Sequence, residues 1–470
     1  MKRQLKNVLK IIGLYVGLFL FIFILFDINY RNNEKLNLSK YSNLQVFIVI
    51  MLVMAIVAYF FSEYKLKNFI RLFMAAGIFL RINYMLQTAY NVRAHDLGRV
   101  SWINDGFGHA NYIITIFKTG HLPTSNIGQF YQTPLYYYLS AGVLKIFNCL
   151  HMSDDMVILF QSVKIVSCFA ACVTLIVIKK ICDTLEFNDR AKVIIMSLMS
   201  FFPSYILMSG RVNNDSLALM FMMIILLYTI RFVKNPCGSN ILGLAFGFGL
   251  GIMTKISVAV MAFWVGPLFI YLLIKYLRKQ TEENSIKRLI CRYLVFLIIA
   301  FPLALWYPVR NYIKFSQPLS YVADVGKNNI LYIGNISMVK RFLEMPVNKI
   351  FKPLFLNVNT EYNIPKYILK SSMFGEFSFD KVDLSAKTLL VVNLILIILM
   401  CLSFIYIAVS AKNIKKLIRF GIPMLWFVFI MSYIVFNIKY PYSCTMDFRY
   451  LGVTAFTGAI SLGVGFDILK

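Results

Sequence analysis

The chain has 470 residues, of which 59% are hydrophobic and only 15% charged. Soluble domains are about half apolar and about a quarter charged, so this composition excludes an ordinary water-soluble fold and indicates many membrane spans. The formal net charge is +27, but the basic residues cluster in short segments between apolar runs. This pattern indicates membrane orientation rather than nucleic-acid binding.

Long apolar runs predict an all-α integral membrane protein. A helix needs about 20 mainly apolar residues to cross a bilayer, and such runs lie near residues 8–28, 44–61, 69–87, 156–178, 193–210, 216–233, 240–254, 257–275, 291–308, 388–409, 420–437 and 450–467. We therefore expect about 12 transmembrane helices. The stretch 240–275 also fits one long helix broken at Thr254 and Lys255. The basic N-terminus precedes an apolar run without a small-residue cleavage site, which favours an uncleaved first span.

The basic segments 179–192, 276–292 and 411–420 are predicted to lie in the cytoplasm, because lysine and arginine accumulate in cytoplasmic loops. Two large extracytoplasmic loops then follow, near residues 88–155 and 309–387, with a shorter one at 438–449. The apolar segment 134–147 is not counted as a span, since that would place the basic segment 179–192 outside. We expect a juxtamembrane or re-entrant helix there, with its three tyrosines at the head-group level.

The first large loop collects titratable side chains. It contains the four histidines of the chain, at 95, 109, 121 and 151, and the aspartates at 96, 105, 154 and 155. Such groups persist in a membrane protein where water or substrate reaches them. Asp96 follows a span closely, at the depth where a general base could act on a sugar hydroxyl. For His121, His151, Asp154 and Asp155 an ordinary surface role is favoured.

A short amphipathic helix is predicted within residues 104–123. Its apolar positions are 107, 110, 113, 114 and 117, and Gly120 followed by Pro123 should end it. Two interpretations stay open. The helix either covers the surface of the loop, or it directs His109 towards an active site.

Other polar residues lie at the predicted outer ends of spans. Asn213, Asn214 and Asp215 precede one span, and helix capping explains one of them. Asn214 or Asp215 is therefore expected to contact substrate or to order the first loop. The basic residues at outer ends are Lys164, Lys255, Arg310 and Arg449. Each could extend its charge harmlessly to the membrane surface, or could bind an anion at that depth.

The eight cysteines fall mostly in apolar runs or in predicted cytoplasmic segments, so they predict no disulfide framework. Cys149 and Cys444 are the two placed outside. Their spacing does not show that they meet, and two unpaired thiols are expected.

Several short motifs, in order, resemble the GT-C glycosyltransferase superfamily. The bacterial members similar to protein O-mannosyltransferases and aminoarabinose lipid A transferases are the ones that match. The motifs are GIFLRINYML, HDLG, TGHLP, FYQTPLYYYLSA, NNDSLALMF, GLGIMTKISV, WYPVRNYIKFSQPL and DFRYL. They run from about residue 77 to 455, so residues 69–470 form the expected core. Residues 1–68, with two spans, look like an addition that the chemistry does not need.

The resemblance implies an inverting transferase that takes a sugar from a lipid phosphate, with Asp96 at the position of the acidic catalytic residue. Leu97 replaces the second acid of the usual pair, which puts a metal site based on that pair in doubt. No cofactor is certain, and a divalent metal is possible. The implied partners are a polyprenyl-phosphate sugar donor, a lipid, glycan or protein acceptor, and membrane lipids.

We therefore expect a glycosyltransferase of the cell membrane with its active site on the extracytoplasmic face and Asp96 as general base. The candidate substrate-binding residues are His95, His109, Tyr131, Gln132, Asn214, Asp215, Lys255, Arg310 and Arg449. The alternative is a multi-span transporter or flippase of lipid-linked saccharides. A transporter typically concentrates polar residues at mid-membrane in two similar halves, whereas this chain concentrates them in outer loops.

Overall fold

The structure is a computed structural model. It describes residues 2–35, 65–100, 107–151, 155–278, 283–323, 325–344, 349–380, 382–410 and 415–469. Within these residues the chain is helical and forms no strand; Tyr332 and Tyr442 make one isolated bridge. The predicted all-α class is confirmed.

Fourteen helices of more than ten residues organise the described chain. They are α1 Lys2–Lys35, α2 Leu66–Gln87, α3 Gly108–Thr119, α4 Leu135–His151, α5 Lys164–Thr184, α6 Asp189–Phe201, α7 Asp215–Lys234, α8 Gly238–Thr254, α9 Ala262–Arg278, α10 Glu283–Phe315, α11 Ile364–Phe374, α12 Asp383–Ser410, α13 Ile422–Lys439 and α14 Gly452–Ile468. The buried centre is formed by α7, which packs against α5 and α8, while α8 also packs against α10.

Nine helical stretches in the described residues are long and apolar enough to cross a membrane. They are Leu9–Arg31, Leu66–Gln87, Met156–Thr184, Asp215–Lys234, Ile256–Arg278, Asn284–Phe315, Asp383–Val409, Leu417–Lys439 and Ser443–Ile468. The pair Asp189–Phe201 and Pro203–Gly210, bent by 50°, makes a tenth if it counts as one span, and Gly238–Thr254 is a shorter apolar helix. Every predicted span except that near 44–61 coincides with one of these helices. That run lies outside the described residues.

The predicted break at Thr254 and Lys255 is confirmed. Helix α8 ends at Thr254, and Lys255 is extended, with φ −157° and ψ 129°. A new helical turn, Ile256–Met261, begins directly afterwards. The break places the Lys255 side chain between two helix ends instead of on the flank of a continuous helix.

Pro203 bends the chain after α6, and a buried arginine from α2 supplies hydrogen bonds to the backbone carbonyls at the end of α6. Proline has no N–H, so it cannot donate to the carbonyl four residues earlier, that of Met199. The Arg81 guanidinium lies 3.0 Å from this carbonyl oxygen and 3.0 Å from that of Ser200. The side chain is 1% exposed. It therefore satisfies helix-terminal carbonyls that would otherwise be buried without a donor.

The first span packs against α4, which lies within the first large loop. The ring of Phe147 lies 5.4 Å from that of Phe26 and 4.9 Å from that of Tyr30. Beside these rings, His151 Nε2 lies 2.6 Å from Asp27 Oδ1. Helix α1 is thus docked onto α4 through aromatic rings and one hydrogen bond. His151 therefore links two helices, with a side chain only 10% exposed, whereas an ordinary surface role was predicted.

Helix α3 begins and ends close to the predicted positions. Gly120 adopts the left-handed conformation, with φ 72°, directly after the helix. The three tyrosines of α4 differ in exposure. Tyr136 and Tyr137 are fully buried, and only Tyr138 is exposed, at 39%. The reason is that α3 covers this face of α4, with the Tyr112 ring stacked 3.9 Å from that of Tyr137.

Candidate active site

A cavity of about 310 Å³ lies where the first loop meets the ends of α7, α8, α10 and α13. All the predicted site residues except His95 and Arg310 line it, namely Asp96, His109, Tyr131, Gln132, Asn214, Asp215, Lys255 and Arg449. Further polar lining comes from Gln129, Thr133, Asn311, Gln317 and Tyr450, and apolar lining from residues such as Leu219, Met222, Val260, Phe429 and Val453. The cavity therefore joins a polar rim to an apolar wall built by the spans.

Asp96 is held in the cavity by an unusual loop conformation. Its φ is +48°, in the left-handed region that few residues other than glycine adopt. Its carbonyl oxygen accepts a 2.7 Å hydrogen bond from His109 N, one of the N–H groups at the start of α3. Gly98, at φ +73°, makes this approach possible, because a Cβ there would lie 1.6 Å from Phe107 O. Glycine at 98 is thus required for the loop to reach α3.

Asp215 lies between two cations at the opposite side of the cavity. Its Oδ1 pairs with Lys255 Nζ, and its Oδ2 lies 3.8 Å from Arg449 Nη1. The side chains of Asp215 and Arg449 are each 8% exposed, and that of Lys255 is 19% exposed. One carboxylate therefore faces two cations, of which Arg449 also lies 3.8 Å from Asp447 Oδ2.

Asn214 orders the first loop, which was one of the two roles predicted for this position. Its Nδ2 donates to Gln132 Oε1 at 2.6 Å and to Thr254 O at 3.1 Å. It therefore ties the first loop to the end of α8. Asn214 is the N-cap residue of α7 but makes no side-chain cap bond, whereas Asn213 Oδ1 accepts a 3.2 Å bond from Asp215 N, the first N–H of the helix.

Two titratable groups of the cavity are held neutral. Burial lowers the pKa of His109 to about 4, although the Asp96 and Asp215 carboxylates oppose this shift. Its Nδ1 lies 2.8 Å from Tyr137 Oη. Burial likewise raises the pKa of Tyr131 to about 12. Both side chains therefore present neutral hydrogen-bonding groups near neutral pH.

His95 does not line the cavity but lies in a cluster with two carboxylates. Its Nδ1 is 3.0 Å from Glu376 Oε2, and its Nε2 is 3.8 Å from Asp447 Oδ2. Within the described chain, these three residues form a group whose ligand atoms lie within 4.8 Å of one another, as a divalent metal requires. However, Arg449 Nε lies 3.8 Å from Asp447 Oδ2. A guanidinium therefore already supplies positive charge to this carboxylate.

Arg310 and Lys164 do not line the cavity, and each donates hydrogen bonds to backbone carbonyl groups instead. Arg310 Nη2 donates to Pro123 O at 2.7 Å, which ties the first loop to α10. Lys164 Nζ donates to Met85 O at 2.9 Å and to Thr88 O, at the end of α2. It thus caps a helix terminus, where cations are favoured.

Sequence reasoning did not select Glu376, Asp447, Arg211 or Tyr450. Asp447 carried a usable signal, because it lies two residues before Arg449 in a predicted outer loop. Glu376 carried a similar one, as an acid within an aromatic segment, MFGEFSF. Acids flanked by aromatic residues in an outer loop of a membrane protein are candidates for buried, paired carboxylates.

The eight cysteines, all within the described residues, are free thiols. The prediction that Cys149 and Cys444 stay unpaired is confirmed.

Residues 131–306 match the family model described as dolichyl-phosphate-mannose-protein mannosyltransferase. This region includes Tyr131, Gln132, Asn214, Asp215 and Lys255 of the cavity. No curated protein matches the chain. The crystal structure of ArnT from Cupriavidus metallidurans in the apo state aligns with 91% of this chain and 78% of its own, at 13% identity and a TM-score of 0.34. That score is too low to establish a shared fold. The family match, on a chain with many apolar helices, confirms the predicted resemblance to GT-C superfamily membrane glycosyltransferases.

Proposed function

We propose that the protein transfers a sugar from a polyprenyl-phosphate donor to an acceptor hydroxyl, with inversion, on the extracytoplasmic face of the cell membrane. One observation carries this proposal. A single cavity brings the Asp96 carboxylate together with Lys255 and Arg449, and one part of its wall is apolar. A lipid phosphate needs this combination of cations and apolar surface, and an attacking hydroxyl needs the base.

Asp96 is proposed as the general base. Its carboxylate accepts the proton of the acceptor hydroxyl as that oxygen attacks the anomeric carbon of the sugar. The bond between the anomeric carbon and the phosphate oxygen breaks, and its electron pair leaves with polyprenyl phosphate. A single displacement of this kind inverts the anomeric configuration. Asp96 is exposed on the loop side of the cavity, so an acceptor can reach it from outside.

Lys255 and Arg449 are proposed to stabilise the negative charge on the departing phosphate. Preorganised cations in a site with little water stabilise charge that develops in the transition state. Arg310 was an alternative phosphate ligand, but its guanidinium bonds Pro123 O and it does not line the cavity. It is now proposed as a positioning residue of the first loop.

The remaining lining suits a sugar and a lipid chain. His109, Tyr131 and Gln132 offer neutral donors and acceptors to sugar hydroxyls. The apolar residues Met222 and Phe429 belong to spans, where a polyprenyl chain would enter from the membrane.

The direct test starts from the lipid-linked sugar that accumulates when the gene is deleted. The purified protein is then given a synthetic short-chain polyprenyl phosphate carrying that sugar, and the anomeric configuration of donor and product is measured by nuclear magnetic resonance. We expect opposite configurations, and no product from Asp96→Asn. Retention of configuration contradicts the single displacement.

The face of the membrane is tested separately by reporter fusions. A reporter fused after Lys192 or Lys279 is expected in the cytoplasm, because basic segments surround these positions. A reporter near residue 125 or 345 is expected outside. A cytoplasmic signal near residue 125 would overturn both the topology and the proposed face of the site.

The N-terminal spans are proposed to support stability rather than chemistry, since no residue of α1 lines the cavity. Deleting residues 1–61 exposes the ring of Phe147 and leaves His151 without Asp27. We therefore expect a lower apparent melting temperature and retained transfer activity. Activity per folded molecule, measured in matched membranes, is the deciding quantity. Complete loss of activity in a stably inserted protein contradicts this prediction.

A further inference from the structure

The segment that carries Asp96, residues 93–96, packs against residues 376–379 of the other large loop. We call this arrangement the clamp, formed by Arg93 and His95 on one side and Glu376, Phe377 and Phe379 on the other. The Arg93 guanidinium lies 4.1 Å above the Phe379 ring. The His95 ring stacks 4.7 Å from the Phe377 ring, at 29°, and its Nδ1 lies 3.0 Å from Glu376 Oε2. The two segments thus interlock through alternate residues.

We call Arg93 and His95 the near half of the clamp, and Glu376, Phe377 and Phe379 the far half. The far half is fixed to the helical bundle. Arg211, four residues before α7, lies 4.6 Å above the Phe377 ring. Gly375 has φ +62°, and a Cβ there would lie 2.5 Å from Arg211 Nη2, so only glycine permits this approach. The Tyr367 hydroxyl of α11 donates to Glu376 Oε1. Glu376 and Phe377 therefore form a rigid surface for the near half.

The near half needs such a surface. Arg93 has φ +53° and Asp96 has φ +48°, so two non-glycine residues with left-handed backbone flank His95. Such conformations are disfavoured and persist only where the surroundings fix them. His95 supplies that constraint directly, because its side chain is 12% exposed and contacts the far half. It lies outside the cavity, so it touches no reacting group.

We propose that His95 is a positioning residue that, through the clamp, holds the Asp96 carboxylate at the cavity. This inference rests on the proposed function. It replaces substrate binding as the role of His95. Burial lowers the pKa of His95 to about 3, so the ring is neutral near neutral pH. An asparagine at 95 places an amide N–H near the same point, whereas alanine does not.

Kinetics of His95→Ala, His95→Asn and a matched control, His121→Ala, test the proposal. His121 is an exposed histidine elsewhere in the first loop. We expect His95→Ala to lower kcat by about 10²-fold with an unchanged donor KM, since displacing a catalytic group by about 1 Å has this effect. His95→Asn should recover about tenfold of that loss, because its amide restores a polar contact with Glu376. His121→Ala should match the wild type.

A second measurement does not depend on catalysis. Hydrogen exchange of the backbone amides at 92–98 should be slow in the wild type and in His95→Asn, and fast in His95→Ala. Phe377→Leu, which keeps apolar volume but removes the ring stack, should also speed this exchange, and it serves if His95→Ala fails to fold. In an Asp96→Asn background, His95→Ala should cause no further loss of transfer.

The outcomes separate the two proposals. Fast exchange in His95→Ala with no sugar transfer by the wild type contradicts the proposed function and leaves the clamp intact. Normal kcat and slow exchange in His95→Ala overturn the clamp while the function stands. A loss of activity with chelator that added Zn²⁺ reverses, and that requires His95, also overturns it, because the cluster would then be a metal site.

Discussion

Asp96→Asn is expected to lower sugar transfer by about 10²- to 10⁴-fold, the usual cost of removing a general base. The change keeps the shape of the side chain but removes its negative charge and, with it, its ability to accept a proton. Asp96 is exposed, and its backbone oxygen, rather than its carboxylate, accepts the bond from α3. Substitutions at exposed sites typically change stability by about 0.5 kcal/mol. Loss of folding therefore does not explain the expected effect.

The measurement is transfer in membranes, divided by the amount of folded protein, together with binding of the donor. We expect donor binding to persist, because Lys255 and Arg449 are untouched by this substitution. His121→Ala is the matched control in the same loop. Transfer near the wild-type rate by Asp96→Asn rules out the base, and Asp215 or Asp105 then becomes the next candidate. Asp105 lies outside the described residues.

Asp215→Asn should have the second large effect, on stability. It leaves Lys255 and Arg449 facing each other without the carboxylate that pairs with the first and lies 3.8 Å from the second. Removing one partner of a buried ion pair typically costs about 3–5 kcal/mol of unfolding free energy. We expect a clear fall in the apparent melting temperature of the purified protein. Added polyprenyl phosphate should recover part of this loss, since a bound anion restores the missing charge.

The matched control is the double variant Asp215→Asn with Lys255→Met. Removing both partners leaves fewer unpaired charges than removing one, so its loss should be smaller than the sum of the two single losses. Additive losses together with no stabilisation by polyprenyl phosphate contradict the proposed phosphate site. Lys255→Met alone is expected to weaken donor binding.

Local sequence signals predicted the helices well because membrane spans depend on composition. The break at Lys255 and the end of α3 at Gly120 were predicted from a polar interruption and a glycine. The burial of Tyr136 and Tyr137 was not predicted from the sequence. Their burial depends on α3 covering this face, and the head-group preference of tyrosine contains no information about that neighbour.

The same distinction applies to the site. Asp96, Asp215 and Lys255 were selected as candidate site residues because ionisable side chains at the ends of membrane spans are costly to bury and are commonly functional. The places of His95 and Arg310 were not predicted, since each depends on a partner from a distant segment. His95 meets Glu376 of the other large loop, and Arg310 meets the carbonyl of Pro123. Contacts between residues so distant in the sequence depend on the tertiary fold.

The order of the charged residues along the chain has a consequence for biogenesis. Asp96 is the first to be synthesised, Asp215 and Lys255 follow, and Arg449 arrives directly before the last helix, α14. During insertion, Asp215 and Lys255 can already neutralise each other as a pair. The second cation, Arg449, and Asp447 join only after the whole segment between Lys255 and Asp447 has been synthesised. The proposed phosphate site is therefore incomplete in a nascent chain until α13 and the segment that carries Arg449 have been synthesised.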